Sequence, residues 1–218
     1  MTDQSKPLKI LFCTPHYSTL CHIMYARSLR ETEFPAGAQV TFVECLGSTT
    51  PVAMNAFAKL ALEGNFDYMI QTADDSGWGK DSVLKLLAHD KDVVSGWSSS
   101  RFSPFMVKAF TNIKRDMVQM SSKNGLLDQI MKGEKHGLER VYALAGELAA
   151  YKVDIFRRIK FPWFNGIVRG GNETTTDDFN FGCRAYDAGV EIWLDWDLPL
   201  KHGAAGMITE NGKLRSLG

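Results

Sequence analysis

The sequence has no excess of either charge: 25 Lys and Arg stand against 25 Asp and Glu in 218 residues. Without a net field, nothing in the composition draws the chain to nucleic acid or to an anionic membrane surface, so any anionic ligand must be held by a local arrangement of side chains. Long apolar runs are missing as well. The start, MTDQSKPLKI, is polar, and the ILFC stretch behind it is too short for a signal-peptide core or a membrane span. The expectation is a protein of the cytoplasm with no membrane span. Cysteine is sparse and unpatterned. Cys13, Cys21, Cys45 and Cys183 have no CxxC spacing, which argues against a zinc site or a disulfide framework and leaves reduced thiols. What the chain does have is apolar mass, 44% hydrophobic and 11% aromatic residues, enough to bury a core as one domain over residues 1–218.

Strand and helix patterns alternate along the chain. KILFCT (9–14) is apolar and extended, TLCHIMYARSLRE (19–31) has helical spacing, and AQVTFVEC (38–45) is β-branched. PVAMNAFAKLALEG (51–64) has Pro51 for a first helical turn and Gly64 for a stop. YMIQT (68–72) predicts a third strand, KDSVLKLLAHD (80–90) a third helix and DVVSGW (92–97) a fourth strand. Such alternation predicts an α/β fold, a parallel sheet with helices on both faces, and in such sheets ligands bind beyond the carboxyl ends of the strands.

Strand three ends on two like charges, Asp74 and Asp75, followed by Ser76 and Gly77. Two adjacent carboxylates repel unless something cationic lies between them. A hard divalent ion such as Mg²⁺ or Mn²⁺ would resolve the repulsion, with substrate phosphates completing its shell. Asp, Ser and Gly also make ordinary solvated turns, which is the competing reading. A second acidic pair, Asp177 and Asp178, opens the segment TTTDDFNFGCRAYDAGVEIWLD (174–195), whose Phe181, Ala185 and Tyr186 recur at helical spacing. Acidic residues at a helix start are favoured by capping and by the dipole, so this pair also has a purely structural reading. VEIWLD is a strand pattern, and the LPLKHGAAG behind it carries a lone histidine, His202.

The order TPHY after strand one, VTFVE as strand two, TPVAMNAFA as a helix, YMIQTADD, DSVLKLLAHDKDVVSGW and then TDDFNFGCRAYDAGVEIWLDWDLPLKHGAAG resembles the GT-A fold glycosyltransferases, in particular family 2-like bacterial and viral members. The resemblance covers residues 8 to 206. It implies a Rossmann-like, mostly parallel sheet with a nucleotide-binding half over about 8–100 and an acceptor half over about 101–206. It also implies a reaction: transfer of a sugar from a nucleoside diphosphate sugar, foremost a UDP-sugar, to a hydroxyl.

The family's residue roles then fall on named positions. Pro15, Tyr17 and Glu44 match positions that meet the base and ribose, and Asn55 and Gly146 match further donor contacts. The family's DxD motif falls on Ala73-Asp74-Asp75, so that by resemblance Asp74 faces the ribose and Asp75 holds Mn²⁺ or Mg²⁺, with His202 completing the metal shell. Two departures are visible: Ala73 stands where the first family Asp is, and Met54 where many relatives have Arg. Asp178 matches the catalytic base of inverting members, with Asp177 capping the helix or holding the acceptor.

The middle of the chain is less informative. GLLDQIMKGEKHGLERV (125–141) predicts a basic helix, Trp163 and Phe164 are candidates either for stacking on a ligand or for the core, and NGIVRGGNETTT (165–176) has the glycine-rich, aperiodic character of a lid. Acceptors in keeping with the resemblance are a glycan, a protein or a hydroxylated base of viral DNA, the last disfavoured by zero net charge; in the viral case the compartment is the host cytoplasm. Two alternatives stand beside this reading: a catalytically silent nucleotide-sugar binding module, and a nucleotidyltransferase, for which TPHYSTLCH lacks the expected glycine-rich basic loop.

Overall fold

β1 (Lys9–His16) is buried on both faces, sending Leu11 and Cys13 into one apolar cluster and Ile10 and Phe12 into another. That double burial marks an interior strand, and the computed structural model places it so; the residues described are 6–99, 107–110, 132–169, 173–204, 207–210 and 213–216. β1 pairs in parallel with β2 (Gln39–Leu46) on one side and β3 (Tyr68–Thr72) on the other. The helices between them follow the sequence. α1 (Ile23–Glu31) starts four residues later than the pattern suggested, because His22 serves as its N-cap, its ring Nδ1 accepting the Met24 N–H. α2 (Thr50–Glu63) carries Pro51 in its first turn, buries Ala53, Met54, Phe57, Ala58 and Ala61 along one face, and stops at Gly64.

Beyond β3 come the short β4 (Ser76–Gly77), α3 (Ser82–Ala88) and β5 (Val93–Trp97). β6 (Ala109–Phe110), β7 (Leu138–Val141), β8 (Ala143–Leu144) and β9 (Leu148–Lys152) follow. Next are α4 (Ile155–Arg158), the paired β10 (Ile167–Arg169) and β11 (Glu173–Thr175), and α5 (Asp177–Asp187). The chain continues through β12 (Ile192–Pro199), β13 (Lys201–Ala204), β14 (Met207–Glu210) and β15 (Lys213–Ser216).

The central sheet runs β2-β1-β3-β9-β5-β12-β7. β9 pairs antiparallel with both β3 and β5, so β5 regains the direction of β3; β12 lies parallel to β5, and β7 closes the edge antiparallel to β12. Five strands therefore point one way and β9 and β7 the other. The α/β class with a mostly parallel sheet and helices on both faces is as expected. The antiparallel β9 is not a product of strand-helix alternation and was not legible from it. One expectation is overturned: the helix over 125–141 does not extend through 138–141, which is β7, while 125–131 lies outside the described residues. Gly133 and Gly137, at φ +71° and +70°, hold left-handed conformations that interrupt a helix, and β7 takes its hydrogen bonds from β12.

Two clusters lie on opposite faces of this sheet. α2, α4 and α5 contribute Phe57, Phe156 and Phe181 to one, and α1 and α3 contribute Tyr25, Val83 and Leu86 to the other. Trp163 and Phe164 belong to the first. The Trp163 indole donates to the Phe156 and Ile159 carbonyls, and Phe164 stacks on Phe181 at 4.7 Å between ring centroids. They are core residues, as their size favours. Truncating a fully buried member such as Leu11 to Ala would cost about 2–5 kcal/mol. No described helix is long and apolar enough to cross a membrane.

Candidate active site

Because β1, β3, β5 and β12 run one way and β9 the other, their connections to one pole are the chain after β1, after β3, after β12 and before β9. A cavity of about 370 Å³ opens there. Pro15 and Tyr17 line it from the end of β1, Thr50 from the start of α2, and Gln71 to Asp75 from the end of β3. Gly146 and Glu147 enter ahead of β9, Asp177 and Asp178 open α5, and His202 follows β12. Two acidic pairs a hundred residues apart in sequence thus face one volume, at the pole where open α/β sheets collect ligands.

The first pair is held at a turn tip. The Ser76 N–H donates to the Ala73 carbonyl at 3.0 Å, and the Ser76 hydroxyl reaches the carbonyls of Ala73 at 2.7 Å and Glu147 at 2.8 Å. Asp74 and Asp75 project from that closed turn. His16, which the sequence did not single out, is buried beside them, with Nδ1 3.2 Å from Asp74 Oδ2 and Nε2 3.5 Å from Glu44 Oε1. Burial and the neighbouring Asp75 raise the Asp74 carboxyl above its usual range, against the lowering pull of His16 and the Tyr17 N–H. Glu44 therefore meets the site through His16.

His202 reaches the first pair through β-pairing: it stands opposite Ser76, and the Gly203 N–H donates to the Asp75 carbonyl at 2.7 Å. Its Nδ1 lies 3.2 Å from the Ser99 carbonyl, which only accepts, so Nδ1 carries the proton and Nε2 turns to Asp75 Oδ2 at 3.7 Å. The Ser99 carbonyl thus sets the orientation of the ring, and Glu147 Oε1 lies 3.6 Å from the same Nδ1, beyond hydrogen-bond reach but close enough for its charge to act on the imidazole. Asp75 Oδ2 and His202 Nε2 are close enough to share one ion at ordinary ligand distances of about 2.1 Å. Among the described residues, no group of three or more His, Cys, Asp and Glu side chains forms a complete metal cage. An ion held here would draw its remaining ligands from substrate and water, as Mg²⁺ usually does.

Lys108, also unremarked in the sequence, pairs with the buried Glu147. Burial alone would raise Glu147, but the Lys108 charge, His202 and hydrogen bonds from Lys108 and Ser98 outweigh it and hold the carboxyl down at about 2. Lys108 comes from a short stretch pinned by its own N–H to the Ser98 carbonyl at 3.0 Å.

The second pair opens α5, but Thr176 is the cap, its hydroxyl accepting the Phe179 N–H at 3.4 Å. Asp177 does not cap the helix. Its carboxylate accepts from the N–H groups of Asp177 and Asp178, which moderate a pKa raised by burial, while its Oδ2 is buried with no hydrogen-bond partner. Asp178 has no such backbone support. Desolvation first, then the charges of Asp177 and Glu147, push it up to about 8 against the lowering influence of Lys108. Both side chains line the cavity.

Asn55 lies elsewhere. Its amide donates to the Pro51 and Phe164 carbonyls at 2.7 and 2.6 Å and accepts from the Trp163 and Phe164 N–H groups at 2.9 and 3.2 Å, a clamp between α2 and the 163–164 segment. Gly146 does line the cavity, and a Cβ there would stand 1.9 Å from Gln71 Nε2.

No protein family matches the chain, and no curated protein matches it. Solved structures do. The crystal structure of A197 from STIV aligns over 97% of this chain and 95% of its own with a TM-score of 0.64 at 12% identity, which shows a shared fold. Other similar structures are GalNAc-T7 with UDP, GalNAc and Mn²⁺ (TM-score 0.49, 9% identity, 92% of this chain and 44% of that one) and S. aureus TarS 1-349 with UDP-GlcNAc (TM-score 0.47, 13% identity, 88% of this chain and 58% of that one).

Proposed function

We propose that the chain is a GT-A fold glycosyltransferase that moves a sugar from a nucleoside diphosphate sugar, foremost a UDP-sugar, to a hydroxyl acceptor with the help of a divalent cation. The observation that carries this reading is the convergence of Asp74, Asp75, Asp177, Asp178 and His202 on one cavity. A cavity lined by so many carboxylates repels a diphosphate unless a cation joins them. Asp75 and His202 are the residues to hold that ion, the Ser99 carbonyl orients His202 with the Glu147 charge beside it, and Asp74 and His16 lie on the side of Pro15 and Tyr17, where the nucleoside would bind. Bound there, the ion supplies charge stabilisation to the departing diphosphate.

Asp178 is the proton acceptor in this reading. The acceptor oxygen attacks the anomeric carbon, the bond from that carbon to the diphosphate breaks and takes its electron pair to the phosphate, and the hydroxyl proton passes to the Asp178 carboxylate. Asp177, held by backbone N–H groups, positions the acceptor.

The test is release of UDP from a panel of UDP-sugars, with and without Mn²⁺, in the presence of candidate glycan, protein and hydroxylated-DNA acceptors. Mn²⁺-dependent release from one donor supports the reading. Tight nucleotide-sugar binding without turnover would leave the silent binding module, which Ala73 at the first position of the acidic motif favours. No nucleotide binding at all would overturn both.

A further inference from the structure

Gln71 is a polar side chain in the cavity wall that belongs to neither acidic pair. It sits on β3, 3% exposed, and its Oε1 accepts the Tyr151 hydroxyl at 2.7 Å. Tyr151 is fixed in turn, its ring packed against Phe156, Phe164 and Phe181. With Oε1 engaged by a donor, the amide turns Nε2 toward Gly146, and a Cβ on residue 146 would stand 1.9 Å from that nitrogen. Glycine is therefore what admits the amide to this part of the wall.

We propose that the Gln71 amide, oriented by Tyr151 and admitted by Gly146, binds the sugar part of a nucleoside diphosphate sugar, donating from Nε2 to a hydroxyl or ring oxygen. This rests on the glycosyltransferase reading above. The choice of sugar over nucleotide follows from position. Gly146 adjoins Glu147, whose charge reaches Asp178, and the Tyr151 hydroxyl bonded to Gln71 feels the charges of Asp178 and Asp177. The amide turns toward Gly146, ahead of β9, whereas β1, which leads to Pro15 and Tyr17, flanks β3 on its other side. The choice of group follows from chemistry. Ionised carboxylates only accept, so a sugar ring bound among them finds partners for its O–H hydrogens but needs donors for its oxygens. An amide N–H is a donor without charge, suited to a hydroxyl more than to a phosphate. Gln71 would be a binding residue, and Tyr151 a positioning residue acting through it.

Calorimetric titrations of the full chain in Mn²⁺ with UDP, and separately with UDP-glucose, UDP-galactose, UDP-GlcNAc and UDP-GalNAc, test this on wild type, Gln71→Ala, Gly146→Ala and Tyr151→Phe. UDP affinity should stay within about twofold in all variants, while the best-bound UDP-sugar weakens by about threefold to tenfold in Gln71→Ala and Gly146→Ala and by less in Tyr151→Phe. Gly146→Ala keeps the amide and displaces it, so the Gln71→Ala/Gly146→Ala double variant should lose no more than either single one. Equal losses for UDP and UDP-sugar, no loss for either, or binding of UDP with rejection of all four sugar nucleotides would overturn the proposal. Should Gln71→Ala or Gly146→Ala not fold, Tyr151→Phe decides: it removes one hydroxyl from an otherwise unchanged ring, and an unaltered ratio of UDP-sugar to UDP affinity sinks the idea. A wild type that binds neither UDP nor any UDP-sugar refutes the glycosyltransferase reading itself, a different outcome from all of these.

Discussion

The two acidic pairs meet the same problem, adjacent like charges half-removed from water, and solve it differently. Asp74 and Asp75 stand on a turn tip between two imidazoles, His16 at 3.2 Å from one and His202 at 3.7 Å from the other. Asp177 and Asp178 stand at a helix start; among the described residues the Lys108 ammonium is the charge that lowers Asp178, and Asp178 still keeps its proton up to about 8. One pair stands between imidazole rings, the other beside an ammonium that does not offset its burial. In the function proposed above, metal-holding and proton-accepting carboxylates call for these two environments, and they come from the two halves of the chain.

If that division of labour is right, the largest effect belongs to the second pair. Asp178→Asn should lower kcat by roughly 10² to 10⁴ while leaving UDP-sugar affinity nearly unchanged, the pattern of an interaction made only in the transition state. Asp177→Asn should cost less. Wild-type kcat/KM should rise with pH and level off above about 8, because the base must lose the proton that burial makes it keep. Steady-state kinetics across pH on the three proteins measures all of this. Equal kcat in wild type and Asp178→Asn would remove the base role and the contrast with it, and a product of retained anomeric configuration, read by NMR, would reassign Asp178 to positioning the acceptor or stabilising charge.

The first pair should respond through binding instead. Asp75→Asn should weaken UDP binding in Mn²⁺ by about tenfold to a hundredfold and leave metal-free binding alone, and Glu147→Gln, one step behind His202, should act in the same direction by a comparable or smaller factor. His202→Ala belongs to the same series. Parallel titrations with and without Mn²⁺ decide it. An Mn²⁺ effect that survives in folded Asp75→Asn would place the ion elsewhere and dissolve the distinction between the pairs.

How far the sequence disclosed all this depended on whether the signal was local. β1, β2, α2, β3, α3 and β5 were readable because each carries its own periodicity and punctuation, Pro51 and Gly64 above all. β9 carries an ordinary strand pattern, but its insertion antiparallel between β3 and β5 is a tertiary fact with no local mark. The same holds within the site. The acidic pairs and His202 stood out as residue types, whereas His16 and Lys108 gain their meaning only from what they touch, Asp74 and Glu44 in one case and Glu147 in the other. Asn55 shows the opposite: a polar residue near a motif whose hydrogen bonds all go to Pro51, Trp163 and Phe164. A signal for His16 did exist in its place beside Pro15 and Tyr17 at the end of β1, where every side chain aimed at the ligand pole is a candidate.

The smallest effect is on stability, and it too separates the pairs. Asp178 has a folded pKa of about 8, and a carboxyl in the unfolded chain titrates near 3.9. Between those values the folded protein holds a proton that the unfolded chain has lost, so folding stability falls as pH rises through that window and levels off above about 8. A raised carboxyl is thus a liability that grows with pH, the reverse of a salt-bridged one such as Glu147, whose contribution is present above its unfolded pKa and is lost only as the pH falls toward about 2. Asparagine at 178 does not titrate and removes the liability. Asp178→Asn should therefore melt higher than wild type at pH 8, by roughly 2–4 °C for each kcal/mol relieved in a chain of this size, and the gap should close toward pH 4. Thermal melts of both proteins at pH 4, 6 and 8 provide the check. A gap that is constant with pH would mean that the substitution acts through packing and that Asp178 titrates like an ordinary surface carboxylate; a lower melting point at pH 8 would mean that the Lys108 ammonium stabilises the ionised form by more than desolvation and like charge oppose it.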